Sequence, residues 1–212
     1  MRAVILTGAG RAFCAGQDLK ERLEPDAAPL AVEVRDRYNP IITAMRDLDR
    51  PIVGAINGVA AGAGASLAFA CDIRIAADTA SFALAFGRIG LVPDSGATWF
   101  LPRLVGPSKA AELALLGDSL TATDAERFGL VTRVVPADEL PDAARAIATR
   151  LAGLAPQALA LTKRALDRAW GIDLETALEE EAYRQGIAGG TSDHREGLAA
   201  FLDKRPPRFT GE

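Results

Sequence analysis

The heptapeptide GLVPDSG, residues 90–96, closes an apolar run with one carboxylate, Asp94. Two kinds of chemistry fit an acid at that place. A helix beginning just after Gly96 would use Asp94 as its N-cap, because a short carboxylate accepts hydrogen bonds from the free amides of a first turn. If Phe86, Leu91, Trp99 and Phe100 wall it instead, the carboxylate loses hydration. Its pKa then rises from the usual value of about 3.9, and it becomes a usable proton shuttle. The residues alone leave both readings open.

Two glycine-rich segments offer partners for such an acid. In LTGAGRAFCAGQDL, residues 6–19, Gly8 and Gly10 are followed by Phe13 where a dinucleotide fingerprint needs a third glycine, and no GK[ST] follows. The segment is either a tight turn at a sheet edge or a turn whose amides near Ala15–Gln17 face a ligand. In NGVAAGAGAS, residues 57–66, small residues let backbones approach closely. A helix starting there would present free N–H groups, and amides from both segments together would form an oxyanion hole.

Other candidates have duller roles. Ser66 has no histidine partner in the sequence neighbourhood: the lone His194 follows the Gly189-Gly190 turn, so a serine triad is not expected. Asp72, between Cys71 and Ile73, reads as a satisfied structural carboxylate. Cys14 and Cys71 lie in small apolar surroundings and read as packing residues; with one histidine they make a poor metal set. Lys204 and Arg205 either bind phosphate or sit in solvent.

The elements that must position these residues alternate. Strands are expected over 2–7, 51–58, 72–77 and 131–136, with a short one at 81–85, and a strand-to-helix crossing is expected near Gly62–Ser66. Residues 22–29 read as a mobile loop. A helix over 31–48 carries Val34, Ile41, Ile42 and Met45 at partial helical spacing, with Pro40 expected to break or bend it. Short helices are expected at 97–104 and 107–116, and TATDAE has capping-box spacing from Thr121 or Thr123. Beyond about residue 137, Leu140, Ala144, Ile147, Leu151 and Leu154 step along one helical face, and helices follow at 157–170, 173–187 and 192–203. The expected organisation is an α/β core over 1–137 and a helical C-terminal module over 138–212.

With 49% hydrophobic and 25% charged residues, the 212-residue chain has a globular balance. A net charge of −4 without a long basic block argues against nucleic acid as partner. The glycine-rich run from Gly54 to Ile73 is interrupted by Asn57 and reads as buried interior, not a membrane span. No secretion signal is evident, and a cytoplasmic setting is expected.

The runs RAFCAGQDL, PIVGAINGVAAGAGASLAFACDIRIAA and GLVPDSGATWFLPRLVG together resemble the enoyl-CoA hydratase/isomerase, or crotonase, superfamily. FGLVTRVVPADEL and EGLAAFLDKRPPRFTG match its later landmarks, so the likeness spans essentially the whole chain. It implies a crotonase-like spiral of ββα units with a helical trimerisation module. Against that resemblance the family's N-terminal portion, with its first sheet strands, is missing here: either the chain begins at this strand or earlier sequence is absent. The DSG after LVP, the LALLGDSLTA stretch and the KRPPRFTG ending look like the isomerase branch that acts in phenylacetate breakdown.

What the resemblance implies for function is specific. The substrate is an acyl-CoA thioester whose carbonyl oxygen is held by the backbone amides of Gln17 and Ala63. The two hydratase glutamates fall on Ser66 and Phe86 and are therefore absent, while the acid of isomerase-like members falls on Asp94. Ala15, Asp18 and Leu19 line the adenine or pantetheine path. Val59, Ala61, Gly62 and Phe86 line the substrate site, and Phe201 and Lys204 touch coenzyme A. No metal and no cofactor beyond coenzyme A in the substrate is implied, and the assembly implied is a homotrimer or homohexamer. The activity implied is double-bond migration in enoyl-CoA chains or rearrangement of a ring-epoxide, with enoyl-CoA hydration or an inactive scaffold as alternatives.

Overall fold

The computed structural model describes residues 1–212. In chain order its elements are β1 (Val4–Thr7), β2 (Ala12–Cys14), a 3₁₀ turn (Leu19–Leu23), α1 (Leu30–Glu33), a π-helical turn (Val34–Tyr38) and α2 (Asn39–Asp47). Then come β3 (Ile52–Ile56), β4 (Val59–Ala61), α3 (Ala63–Phe69), β5 (Ile73–Ala77), β6 (Ser81–Ala83) and a 3₁₀ turn (Ala85–Ile89). The rest are α4 (Ala97–Val105), α5 (Pro107–Leu116), β7 (Ser119–Thr121), α6 (Ala122–Arg127), β8 (Arg133–Val135), α7 (Leu140–Ala152), α8 (Pro156–Ala169), α9 (Leu174–Gly189) and α10 (Ser192–Leu202). No helix is long and apolar enough to cross a membrane.

The chain forms two compact units. The larger comprises residues 5–46 and 52–145. Its strands alternate between two four-stranded sheets, ordered β1-β3-β5-β8 and β2-β4-β6-β7. Each β1–β2, β3–β4 and β5–β6 pair sends one strand to each sheet before a helix follows, which is a repeated ββα unit. Pairing is parallel from β3 through β5 to β8 and from β2 through β4 to β6, and β6 with β7 is antiparallel. Strand β3 is buried at every position, as a continuous apolar run predicts for a strand covered on both faces. Val53, Ile56, Ile75, Leu101, Leu130 and Val131 are fully enclosed in this unit's core.

Asn57, the polar break in the small-residue run, explains how successive units stack. Its side-chain oxygen accepts from the Gly8 amide at 2.9 Å, and its Nδ2 donates to the Gly10 carbonyl at 3.0 Å. One side chain thus satisfies the β1–β2 turn from the β3–β4 turn. Asp72 is a satisfied structural carboxylate: it accepts from the Ile52 amide at 2.8 Å and from Arg46 at 2.9 Å.

Several local expectations change. Strands β2, β4 and β7 were not foreseen, because three residues are too few to show an alternating pattern. Pro40 does not break its helix. The π turn just before it absorbs the missing amide, closing on a bond from the Asn39 amide to the Val34 carbonyl, and α2 continues to Asp47. The stretch from Leu19 to Leu23, read partly as loop, is a 3₁₀ turn capped by the Asp18 side chain on the Lys20 amide. Thr121 caps α6 by accepting from the Asp124 amide.

The smaller unit comprises residues 1–4, 47–51 and 146–212. Within it α8 and α9 pack as a pair joined by the ion pair Arg168–Glu180, and Glu180 also binds Arg184 one turn along α9 at 2.6 Å. The buried Asp193 carboxylate accepts from the Thr210 and Gly211 amides at 2.7 and 2.9 Å, which pins the tail to the start of α10. Glu196 receives Arg205 and the Arg208 amide, and these partners hold its carboxyl down at about 2.

Candidate active site

The site is built where the β2 end, the β4–α3 junction and the turn before α4 meet. Gly62 enters α3 with φ +54° and ψ −127°, a conformation that side-chain-bearing residues rarely adopt. Gly64 lies so close to β2 that a Cβ there would stand 2.1 Å from the Cys14 carbonyl oxygen. These contacts press the first turn of α3 against the Cys14–Gln17 turn. A Cβ on Gly16 would lie 2.9 Å from the Ala61 oxygen and 3.6 Å from the Ala63 nitrogen. The segments carrying Gln17 and Ala63 are therefore in direct contact. Neither amide donates to an acceptor of the chain: Ala63 is the first residue of α3, and Gln17 lies outside regular structure.

Asp94 does not cap α4. The N-cap is Gly96, which has no side chain for the role, and the Asp94 contribution to that turn is its backbone carbonyl, accepting from the Ala97 amide at 2.9 Å. The carboxylate is left with one hydrogen bond, from the Ser95 hydroxyl to Oδ1 at 2.8 Å. It is half-buried, and that burial pushes its pKa above the ordinary carboxylate range against the opposing pull of Ser95. Ser66, wholly enclosed on α3, donates to the Asp94 carbonyl at 3.0 Å. The turn bearing the acid is thus bonded to the helix that bears the Ala63 amide.

The expected wall is present in part. Phe86 and Phe100 are buried, while Leu91 is half-buried and Trp99 is exposed on one side, packed edge-on to Phe100. The Phe86 ring tip would meet a Cβ on Gly62 at 3.9 Å, so Phe86 backs the α3 entry. Ala61 and Gly62 are half-buried beside it, and Val59 opens to solvent at the start of β4. Ala15, Asp18 and Leu19 form the exposed flank of the Gln17 turn. Phe201 and Lys204 belong to the helical unit, at and just past the end of α10, and both are exposed.

Sequence reasoning missed a polar group alongside. The Gln17 Nε2 is buried without a partner in hydrogen-bond geometry, yet it lies near enough to Glu33 to be the largest influence lowering that carboxyl's pKa. Glu33 also binds Arg22 at 2.8 Å and Arg37 at 3.1 Å. Tyr38 follows on the π turn; burial raises its pKa, Arg37 opposes, and the Glu33 and Asp94 charges raise it further. Pro40 signalled an irregular helix at this point, and the π turn is that irregularity, but no residue pattern linked Gln17, Glu33 and Tyr38.

A match to the enoyl-CoA hydratase/isomerase family model covers residues 1–212. Among curated relatives, the chain is 46% identical to the 1,2-epoxyphenylacetyl-CoA isomerase of Escherichia coli, aligning 100% of this chain with 82% of that protein. It is 37% identical to the 2,3-dehydroadipyl-CoA hydratase of the same organism, over 98% of this chain and 80% of that one. A solved enoyl-CoA hydratase from Bacillus anthracis superposes with a TM-score of 0.91 at 42% identity, over 100% of this chain and 82% of that one. The chain belongs to the enoyl-CoA hydratase/isomerase family, and its α/β fold is the crotonase-like one with a C-terminal helical module.

Proposed function

We propose that the chain is an acyl-CoA isomerase that moves a double bond, or rearranges a ring-epoxide, in an acyl group held as a coenzyme A thioester. Family membership supports the coarser part, hydratase or isomerase chemistry on such a thioester. The observation that carries the finer part is the state of Asp94. It is a half-buried carboxylate, raised in pKa and not consumed as a cap, in a turn bonded to the helix of the Ala63 amide. The family resemblance puts the two water-activating glutamates of hydratases at Ser66 and Phe86. Here the Ser66 hydroxyl is committed to the Asp94 carbonyl, and Phe86 is apolar.

In this reading the thioester oxygen accepts from the Gln17 and Ala63 amides. They stabilise the charge that gathers on oxygen when a neighbouring C–H bond breaks; one such donor is worth about 2.7–4 kcal/mol of barrier. Asp94 takes that proton as its carboxylate and returns it to another carbon of the allylic system, leaving the electron pair in the shifted double bond. For a ring-epoxide the bond between the two epoxide carbons opens while both C–O bonds are kept, which places the oxygen in a seven-membered ring, and Asp94 carries a proton from the carbon beside the thioester to a ring carbon as the double bond shifts. Ala15, Asp18 and Leu19 flank the coenzyme A path, Val59, Ala61, Gly62 and Phe86 line the acyl side, and Phe201 and Lys204 contact coenzyme A in the assembled homotrimer or homohexamer.

The test is Asp94→Asn. It should retain its fold and coenzyme A affinity while double-bond migration on a 3-enoyl-CoA falls by about 100-fold or more. Near wild-type migration in that variant refutes the assignment. Similarity to the dehydroadipyl-CoA hydratase favours a second reading, and water addition to crotonyl-CoA outpacing migration in the wild-type protein would select it.

A further inference from the structure

Tyr38 has no role in the reaction as described, yet its placement is specific. The π turn brings residues five apart onto one face, so Tyr38 sits over Glu33, the carboxylate beside the Gln17 side chain. One α-helical turn further on, Ile42 shares its face, and the Ile42 Cγ2 lies 3.6 Å from where a Cβ on Gly96 would be. Tyr38 therefore stands on the helix between the Gln17 turn and the Asp94–Gly96 turn, the two segments that bracket the reacting atoms. The fields of both Glu33 and Asp94 reach its phenol.

The hydroxyl itself is unused. The Tyr38 ring lies near Arg37, whose guanidinium carbon is 6.0 Å from the ring centroid, but the phenol oxygen makes no hydrogen bond within the chain. A hydroxyl on a half-buried ring, unbonded within the chain and within reach of the Asp94 charge, is free to donate to a bound group. Ordinary apolar lining would put phenylalanine or leucine there.

We propose that the Tyr38 hydroxyl donates a hydrogen bond to an oxygen carried by the acyl group beyond the thioester, an epoxide or hydroxyl oxygen, and so biases the site toward oxygenated over plain alkenyl chains. This rests on the reading of Asp94 as the proton shuttle. No bond is made or broken at Tyr38, and its proton stays on the phenol oxygen. A phenol keeps its proton at neutral pH, and burial here moves its pKa further up, which suits a donor and not a base.

The experiment compares Tyr38→Phe with wild type on two probes, a straight-chain 3-enoyl-CoA and 1,2-epoxyphenylacetyl-CoA. The ring and its packing remain, so the fold should be unaffected. The kcat/KM ratio of the epoxide over the plain chain should drop by about 3- to 10-fold, the worth of one hydrogen bond. An unchanged ratio, whether both rates fall together or neither moves, overturns the proposal. Asp94→Asn on the same probes separates the two claims: loss on both with an unchanged Tyr38→Phe ratio sinks only the role of Tyr38. Full activity of Asp94→Asn sinks the shuttle, and the Tyr38 inference with it.

Discussion

At the scale of single residues, the chemistry depends on a balance at Asp94. Burial alone would favour its neutral form, and the Ser95 hydroxyl pulls the other way by stabilising the anion. The proton shuttle needs the anion, so activity should fall as pH drops through a pKa lying above the usual carboxylate value of about 3.9. Ser95 is also one of two non-glycine residues with positive φ, at +52°, so glycine fits its backbone without strain. Ser95→Gly removes the stabilising donor and leaves the burial. The acid limb of the kcat profile should then move to higher pH than in wild type, with the plateau largely kept. A limb that stays in place, or moves down, would mean the Ser95 bond does not govern the carboxylate. Asp94 was legible in the sequence as an acid ending an apolar run. That it escapes capping was not, because the choice turns on Gly96 adopting a left-handed conformation, which the residue types permit but do not require.

At the scale of elements, the site exists because a strand end and a helix start are in near contact. The small residues from Gly58 to Gly64 were readable as a close approach, but not what they approach, since β2 is only three residues long and leaves no periodic trace. Gly64 is the tightest point: a Cβ there would meet the Cys14 carbonyl oxygen at 2.1 Å and its carbon at 2.7 Å, both backbone atoms that cannot swing aside. Gly64→Ala must therefore push α3 off the Cys14–Gln17 turn, parting the Gln17 and Ala63 amides. Misplacing such donors by about 1 Å costs on the order of 100-fold in rate. We expect Gly64→Ala to lose about that much kcat and to melt several degrees lower, measured by steady-state kinetics and thermal unfolding. Wild-type kcat in that variant would mean the two amides do not act together. The long elements, by contrast, were readable closely. α7 follows the helical spacing of its apolar residues, with Leu140 and Ala144 buried, and strands β3 and β5 follow their apolar runs, because burial imposes a period on an element long enough to show one.

At the scale of the whole molecule, the helical unit carries more apolar surface than a solvated face needs. Leu166, Trp170, Leu174, Leu178, Tyr183, Leu198, Phe201 and Leu202 are all exposed, although they fall on α8, α9, α10 and the turns joining them. Scattered single residues of this kind are ordinary, but here they are concentrated in one helical unit. The sequence indicated the helices; it did not indicate which of their apolar residues lie outward, since helical propensity does not say which face is covered. We propose that identical chains bury this surface against one another, as the family resemblance implies for a homotrimer or pair of trimers. Multi-angle light scattering at working concentration should return three or six times the chain mass. Leu178→Glu, which sets a charge on the exposed side of α9 at modest cost to the isolated unit, should lower that mass and weaken coenzyme A binding together if Phe201 and Lys204 reach it only in the assembly. A monomeric wild type that binds coenzyme A with undiminished affinity would break the link between assembly and site. It would leave the Gln17, Ala63 and Asp94 arrangement to work within one chain.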